Sequence, residues 1–143
     1  ASGKVIRKMV EEAGLDVVFM KALPTDKTVL STVFQRMADG NLADLILTTG
    51  GTGFAQRDMT PEATIAVCDR MANGIADAIR QYSLSITGRA MLSRAVSGIR
   101  KKTLIVNLPG SPKAVEESLT YILSSLGHGL DILLGEDGEC ARK

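Results

Sequence analysis

At 143 residues, with a formal net charge of +1, 45% hydrophobic and 23% charged residues, the chain has the size and composition of one globular domain with a substantial core. Aromatic residues make up 3%, so neither the basic field nor the stacking platform of a nucleic-acid binder is provided. The sequence holds no apolar run of roughly 18 residues and no charged-then-apolar leader, which reads as a cytoplasmic protein without a membrane or nucleic-acid partner.

Val5, Ile6, Met9, Val10 and Ala13 recur at helical spacing, and Gly14 is placed to end that helix. Residues 17–20 read as a short strand. Leu23, Pro24, Thr25 and Asp26 then lead into an amphipathic helix carrying Val29, Leu30, Val33, Phe34 and Met37, closed by Gly40 and Asn41. Asp26 follows a strand, so its carboxylate belongs at the carboxyl edge of the sheet. It is equally suited to cap the helix that contains Val29 and Leu30, a role worth about 1 kcal/mol.

Leu45, Ile46 and Leu47 form an apolar run of the kind buried on both faces of a sheet, within a strand expected over residues 44–49. Thr48, Thr49, Gly50, Gly51, Thr52 and Gly53 follow directly. Glycine tolerates positive φ and lets a ligand approach the backbone, so successive amides here are suited to cradle a phosphate. Thr60 and Pro61 are expected to supply the N-cap and first turn of a helix whose positive end faces the same cavity. Arg57 and Asp58 lie between cradle and helix, within reach of a bound phosphate or its metal.

Helices are expected near residues 61–71 and 74–82. Residues 91–97 and 103–108 read as two strands joined by residues 98–102, a hairpin-like or bulged antiparallel element whose basic cluster at 100–102 is most simply a solvated turn, with anion binding as the alternative. Asn107, Leu108, Pro109, Gly110, Ser111 and Pro112 repeat the earlier arrangement: a strand, a glycine and a Ser-Pro helix start. Val115, Leu119, Ile122, Leu123 and Leu126 line one face of the next helix. Leu130, Ile132 and Leu133 suggest a final turn or short helix, and the charged residues after Gly135 a frayed tail.

Cys68 falls in a helical pattern and Cys140 in the polar tail, a spacing suited to neither a disulfide framework nor a zinc site. His128 is the single histidine, which excludes a histidine metal cluster. The alternation of elements implies an α/β fold of three layers: a mostly parallel sheet with helices on both faces and an antiparallel element near residues 91–108. Both strand-to-helix loops, at 48–61 and 107–112, then fall at the carboxyl edge of the sheet, where open α/β sheets bind ligands.

The segments LTTGGTGFAQRDMTPEAT and AMLSRAVSGIRKKTLIVNLPGSP, with the Pro-Thr-Asp at 24–26, resemble the molybdenum-cofactor biosynthesis family, which includes bacterial MogA and MoaB proteins and the gephyrin and plant Cnx G domains. The resemblance runs from about residue 2 to about residue 135. It implies adenylylation of molybdopterin: the terminal phosphate of the pterin attacks the α-phosphate of Mg-ATP, giving adenylyl-molybdopterin and pyrophosphate.

Asp26 and Asp58 match the family's two functionally important aspartates. Asp58 is the candidate ligand for Mg²⁺, with Thr49, Gly50, Gly51, Thr52 and Gly53 on one substrate loop and Pro109, Gly110 and Ser111 on a second. The resemblance further implies a homotrimer, with a hexamer as the variant, and a downstream molybdate-inserting partner. Family members begin with a strand that precedes the helix with which this chain opens, so a single domain over residues 1–143, short of that first strand, is expected. A non-catalytic molybdopterin carrier or trimeric scaffold stands as the alternative function.

Overall fold

The structure, a computed structural model, describes residues 1–135. The apolar set at 5–13 forms α1 (Ser2–Glu12), and Gly14 leaves it at φ +89°. Helix α2 (Lys27–Asp39) starts at Asp26, whose carboxylate Oδ1 accepts the Val29 N–H at 3.0 Å. Strand β1 (Leu45–Thr49) runs into the glycine loop, and α3 (Thr60–Val67) follows it. After β2 (Arg70–Met71) come α4 (Asn73–Leu84) and a 3₁₀ turn at Gly88–Leu92. The chain closes with β3 (Ser97–Arg100), β4 (Thr103–Leu108) and α5 (Pro112–Leu133).

The sheet order is β1-β4-β3-β2, with β1 parallel to β4 and the other two pairs antiparallel. Side chains alternate across β4, so Leu104, Val106 and Leu108 pack towards α1, α4 and α5 with Ile6, Val10, Ile79, Val115 and Leu119. Ile105 points to the opposite face, against Leu30 and Phe34 of α2 and Ala63 and Val67 of α3. The three layers expected from the alternation are therefore present, and the sheet between them is mixed, with one parallel pair.

Four local expectations change. Residues 17–20 are not a strand: a groove of about 810 Å³ separates them from β1, and a ladder needs a partner at hydrogen-bonding distance. Val18 and Phe19 are consequently exposed. The helix expected to 71 stops at Val67, because Cys68 turns extended (ψ 134°) and residues 70–71 pair with β3. Residues 91–97 are not one strand. Their start belongs to the 3₁₀ turn capped by the Thr87 side chain, and pairing begins at Ser97. Leu130, Ile132 and Leu133 continue α5 without a break. Cys140 and the expected frayed tail lie outside the described residues.

The free edge of β1 is directional. Leu104 N–H donates to the Asp44 carbonyl at 2.9 Å, and Leu45 is paired with Leu104. Parallel alternation then turns the amides and carbonyls of Leu45, Leu47 and Thr49 away from β4 and into the groove. Among the described residues, no helix is long and apolar enough to cross a membrane.

Candidate functional site

Three loops meet at the carboxyl end of the parallel pair. The Thr49 hydroxyl, at the end of β1, donates to the Pro109 carbonyl at 2.6 Å and ties the glycine loop to the loop after β4. The two backbones approach so closely that a Cβ on Gly110 would lie 3.5 Å from the Gly50 Cα. Ser2, at the start of α1, donates through its hydroxyl to the Gly110 carbonyl at 2.7 Å. Ser111 is engaged structurally, its Oγ accepting the Ala114 N–H at 3.2 Å as the N-cap of α5.

Gly50 and Gly51 both have positive φ, +86° and +72°. At Gly51 the requirement is double, because a Cβ would overlap Thr60 Oγ1 and stand 3.3 Å from Thr25 Cγ2. The same contact brings the Pro-Thr-Asp loop, and with it Asp26, against the glycine loop and the start of α3. Thr60 is the first helical residue rather than the cap. Met59 occupies the N-cap position without a side-chain bond, and Thr60 N–H donates instead to the Gly51 carbonyl at 3.1 Å. The Gly51 carbonyl thus satisfies the first N–H of α3, and no side chain caps the helix.

Asp58 folds back on its own loop: its Oδ2 accepts the Ala55 N–H at 3.0 Å, and its N–H donates to the Ala55 carbonyl at 2.9 Å. A Cβ on Gly53 would come within 2.9 Å of that Oδ2, so the small residue at 53 makes room for the carboxylate. Among the described residues, Asp58 Oδ1 and Asp26 Oδ2 receive no protein hydrogen bond. Asp26 and Asp58 thus lie on adjoining loops, each with one oxygen engaged and one free.

No group of three or more His, Cys, Asp or Glu among the described residues is arranged to enclose a metal ion. The donor set suits Mg²⁺ in another way, since that ion takes one or two carboxylates and completes its shell with water and substrate phosphates. His128 lies exposed within α5, between Gly127 and Gly129, with no bond to these loops.

Two residues that sequence reasoning passed over hold this edge together. Asn107 is fully buried in β4; its Nδ2 donates to Thr48 Oγ1 at 3.1 Å and Thr64 Oγ1 at 3.0 Å, while its Oδ1 accepts the Val96 N–H at 3.1 Å. Arg94 donates through Nε to the Gly53 carbonyl at 2.7 Å, through one terminal nitrogen to Glu62 Oε2 at 2.5 Å, and through the other to the Asp58 carbonyl at 2.5 Å. That guanidinium is the first cause of the lowered Glu62 pKa. An amide inside the otherwise apolar run of β4 was a readable signal for Asn107. Arg94 offered none, because its side-chain partners precede it by 32 to 41 residues.

The family model described as "Probable molybdopterin binding domain" matches residues 1–128. The molybdopterin adenylyltransferase of Helicobacter pylori strain 26695 is 38% identical over 136 residues, covering 94% of this chain and 77% of that protein. Among solved structures, the molybdopterin biosynthesis enzyme MoaB from Thermus thermophilus superposes with a TM-score of 0.87 at 42% identity, covering 94% of this chain and 84% of that one. The molybdopterin biosynthesis Mog protein from Mycobacterium ulcerans gives 0.88 at 37% identity, with 94% and 87% covered. With its three layers, its two facing loops and a family match over nearly the whole length, the chain belongs to the molybdopterin-binding domain family of molybdenum cofactor biosynthesis.

Proposed function

We infer that this protein is a molybdopterin adenylyltransferase, in which the terminal phosphate of molybdopterin attacks the α-phosphate of ATP. A new phosphorus–oxygen bond forms, the α–β bridge breaks, and pyrophosphate leaves. The observation that carries the reading is that Asp26 and Asp58 stand on two loops that meet at Gly51, a glycine of positive φ, each with one carboxylate oxygen that takes no protein hydrogen bond among the described residues. The adenylyltransferase relatives, such as that of Helicobacter pylori, support the same reaction.

Transfer between two polyanions depends on charge neutralisation and in-line placement more than on a strong base. Asp58, with Asp26, would hold Mg²⁺, which when bound neutralises the phosphate charge. The loop Thr49, Gly50, Gly51, Thr52 and Gly53 supplies backbone amides for the transferring phosphate, and the loop Pro109, Gly110 and Ser111 forms the opposing wall. The attacking phosphate is already ionised near neutral pH, so no histidine is required. The open edge of β1 and the groove beside it favour one further strand in the complete domain. Exposed Leu84, Ile86, Met91 and Leu92 favour self-association. The homotrimer or hexamer, the cytoplasmic location and a molybdate-inserting protein as recipient of the product are carried by the family resemblance.

Incubation with molybdopterin and Mg-ATP tests the reading. Adenylyl-molybdopterin and pyrophosphate should appear in equal amounts, and only when both substrates are present. A folded protein that binds molybdopterin with the same affinity in the presence and absence of Mg-ATP, and makes no product, is a carrier or scaffold instead.

A further inference from the structure

Arg94 engages three carbonyls of the loop that bears Asp58 and one carboxylate in the first turn of the helix that follows it. Besides the side-chain bonds to Gly53, Glu62 and Asp58, its own N–H donates to the Thr52 carbonyl at 2.8 Å. The carbonyls of Thr52, Gly53 and Asp58 are thereby drawn towards one residue. In a trans peptide the N–H points opposite to the C=O of the same unit. Holding these three carbonyls inward therefore turns the N–H groups of Gly53, Phe54 and Met59 outward. None of the three has a protein acceptor among the described residues.

Outward amides without partners, on a loop whose Phe54 is 71% exposed, await an acceptor from solvent or from a ligand. We propose that Arg94 is a positioning residue that touches no substrate but aims the Gly53, Phe54 and Met59 amides, together with the Asp58 carboxylate, at a polyphosphate. This rests on the adenylyl-transfer reading for the identity of the natural anion, whereas the outward amides themselves suit any phosphate.

The planar fork of arginine is needed for the task. Nε and one terminal nitrogen bind the Gly53 and Asp58 carbonyls while the other terminal nitrogen binds Glu62, so both ends of the loop are fixed by one rigid group. A lysine ammonium keeps the charge but cannot reproduce that fork.

The test uses inorganic pyrophosphate as the probe, with magnesium, on the full chain. In the parent protein, amide resonances of Gly53, Phe54 and Met59 should move on titration more than those of the exposed turn at residues 101–102. Arg94→Lys should weaken pyrophosphate binding by about ten-fold or more and lower kcat by a similar factor, with little change in KM for molybdopterin. Glu62→Gln, which keeps a neutral acceptor for Arg94 and both carbonyl bonds, should retain most of the affinity.

If the three parent amides stay still while pyrophosphate binds elsewhere, the proposal is overturned, whatever the variants do. It is equally overturned if Glu62→Gln is as damaging as Arg94→Lys, since the ion pair rather than the carbonyl clamp would then matter. Movement of those amides, lost in Arg94→Lys, in a protein that forms no adenylyl-molybdopterin would uphold the role of Arg94 and remove the proposed reaction. Product formation with no movement of those amides would do the reverse.

Discussion

Asp58 and Ala55 are bonded reciprocally: the Asp58 N–H donates to the Ala55 carbonyl at 2.9 Å, and the Ala55 N–H donates to Asp58 Oδ2 at 3.0 Å. One carboxylate oxygen holds the turn, and the other takes no hydrogen bond among the described residues. An amide side chain can still accept the Ala55 N–H through its single oxygen, so Asp58→Asn separates the charge from the turn. The variant is expected to melt within a few degrees of the parent. Its adenylyl transfer should fall by about 100-fold or more, the scale on which loss of one transition-state stabiliser is felt. Product assays alongside thermal melts check both halves.

At Asp26 the same division lies between a cap and a free oxygen. Asn caps helices as well as Asp, so Asp26→Asn should leave stability near the parent value, whereas Asp26→Ala should lose about 1 kcal/mol through the missing bond to the Val29 N–H. Both variants should lose turnover to a similar extent. Full activity in Asp26→Asn would reduce this residue to a helix cap.

Asn107→Ala tests the polar tie beneath the site. It would leave the Thr48 and Thr64 hydroxyls and the Val96 N–H without their partner in a fully buried position. The Thr64 hydroxyl keeps its bond to the Thr60 carbonyl, so the cost falls on the partly buried Val96 N–H and Thr48 hydroxyl and on the space left in the core, and a loss of about 2 kcal/mol in urea-denaturation stability is expected. Asn107→Asp should not restore it, because a carboxylate cannot donate to the two hydroxyls.

Far from the site, Asp39 accepts two bonds from Arg100, at 2.8 and 3.0 Å, and contacts Lys101 at 3.2 Å. Arg100 is the first cause that holds the Asp39 carboxyl down at about 2 from an ordinary 3.8. A carboxyl with a folded-state pKa below its unfolded value contributes stability above the unfolded value and loses it as pH falls through the folded one. The contribution of Asp39 should therefore be complete above about pH 4 and gone near pH 2. Asp39→Asn should flatten that part of the stability profile, as read by acid titration of the circular dichroism signal. An unchanged slope between those limits would contradict the assignment.

The legible parts of this protein were those written in neighbouring residues. Helix α2 with its Asp26 cap, strand β1, strand β4 and the Ser111-Pro112 start of α5 all depend on contacts within a few positions, which periodicity and capping chemistry reveal. The glycine loop was readable for the same reason, since positive φ at Gly50 and Gly51 is a local demand. Asp58 was marked by its place between the glycine loop and the next helix, and motif resemblance gave it a role; its one side-chain bond among the described residues is also local.

What the sequence alone did not contain are the relations that close over long separations. An apolar run at 17–20 has strand composition, yet pairing decides, and a groove lies where its partner would be. The 3₁₀ turn before β3 displaced an expected strand because Thr87 caps it and pairing starts only at Ser97. Local pattern determined which segments could be helix, strand or phosphate loop. Only tertiary structure decided which strands found partners, and that Arg94 holds the loop on which Asp58 stands while Asn107 ties the strand and helix on either side of that loop, each reaching tens of residues along the chain. The physical reason is that a side chain's hydrogen-bond partners are set by where the packed layers bring it, which no local periodicity records.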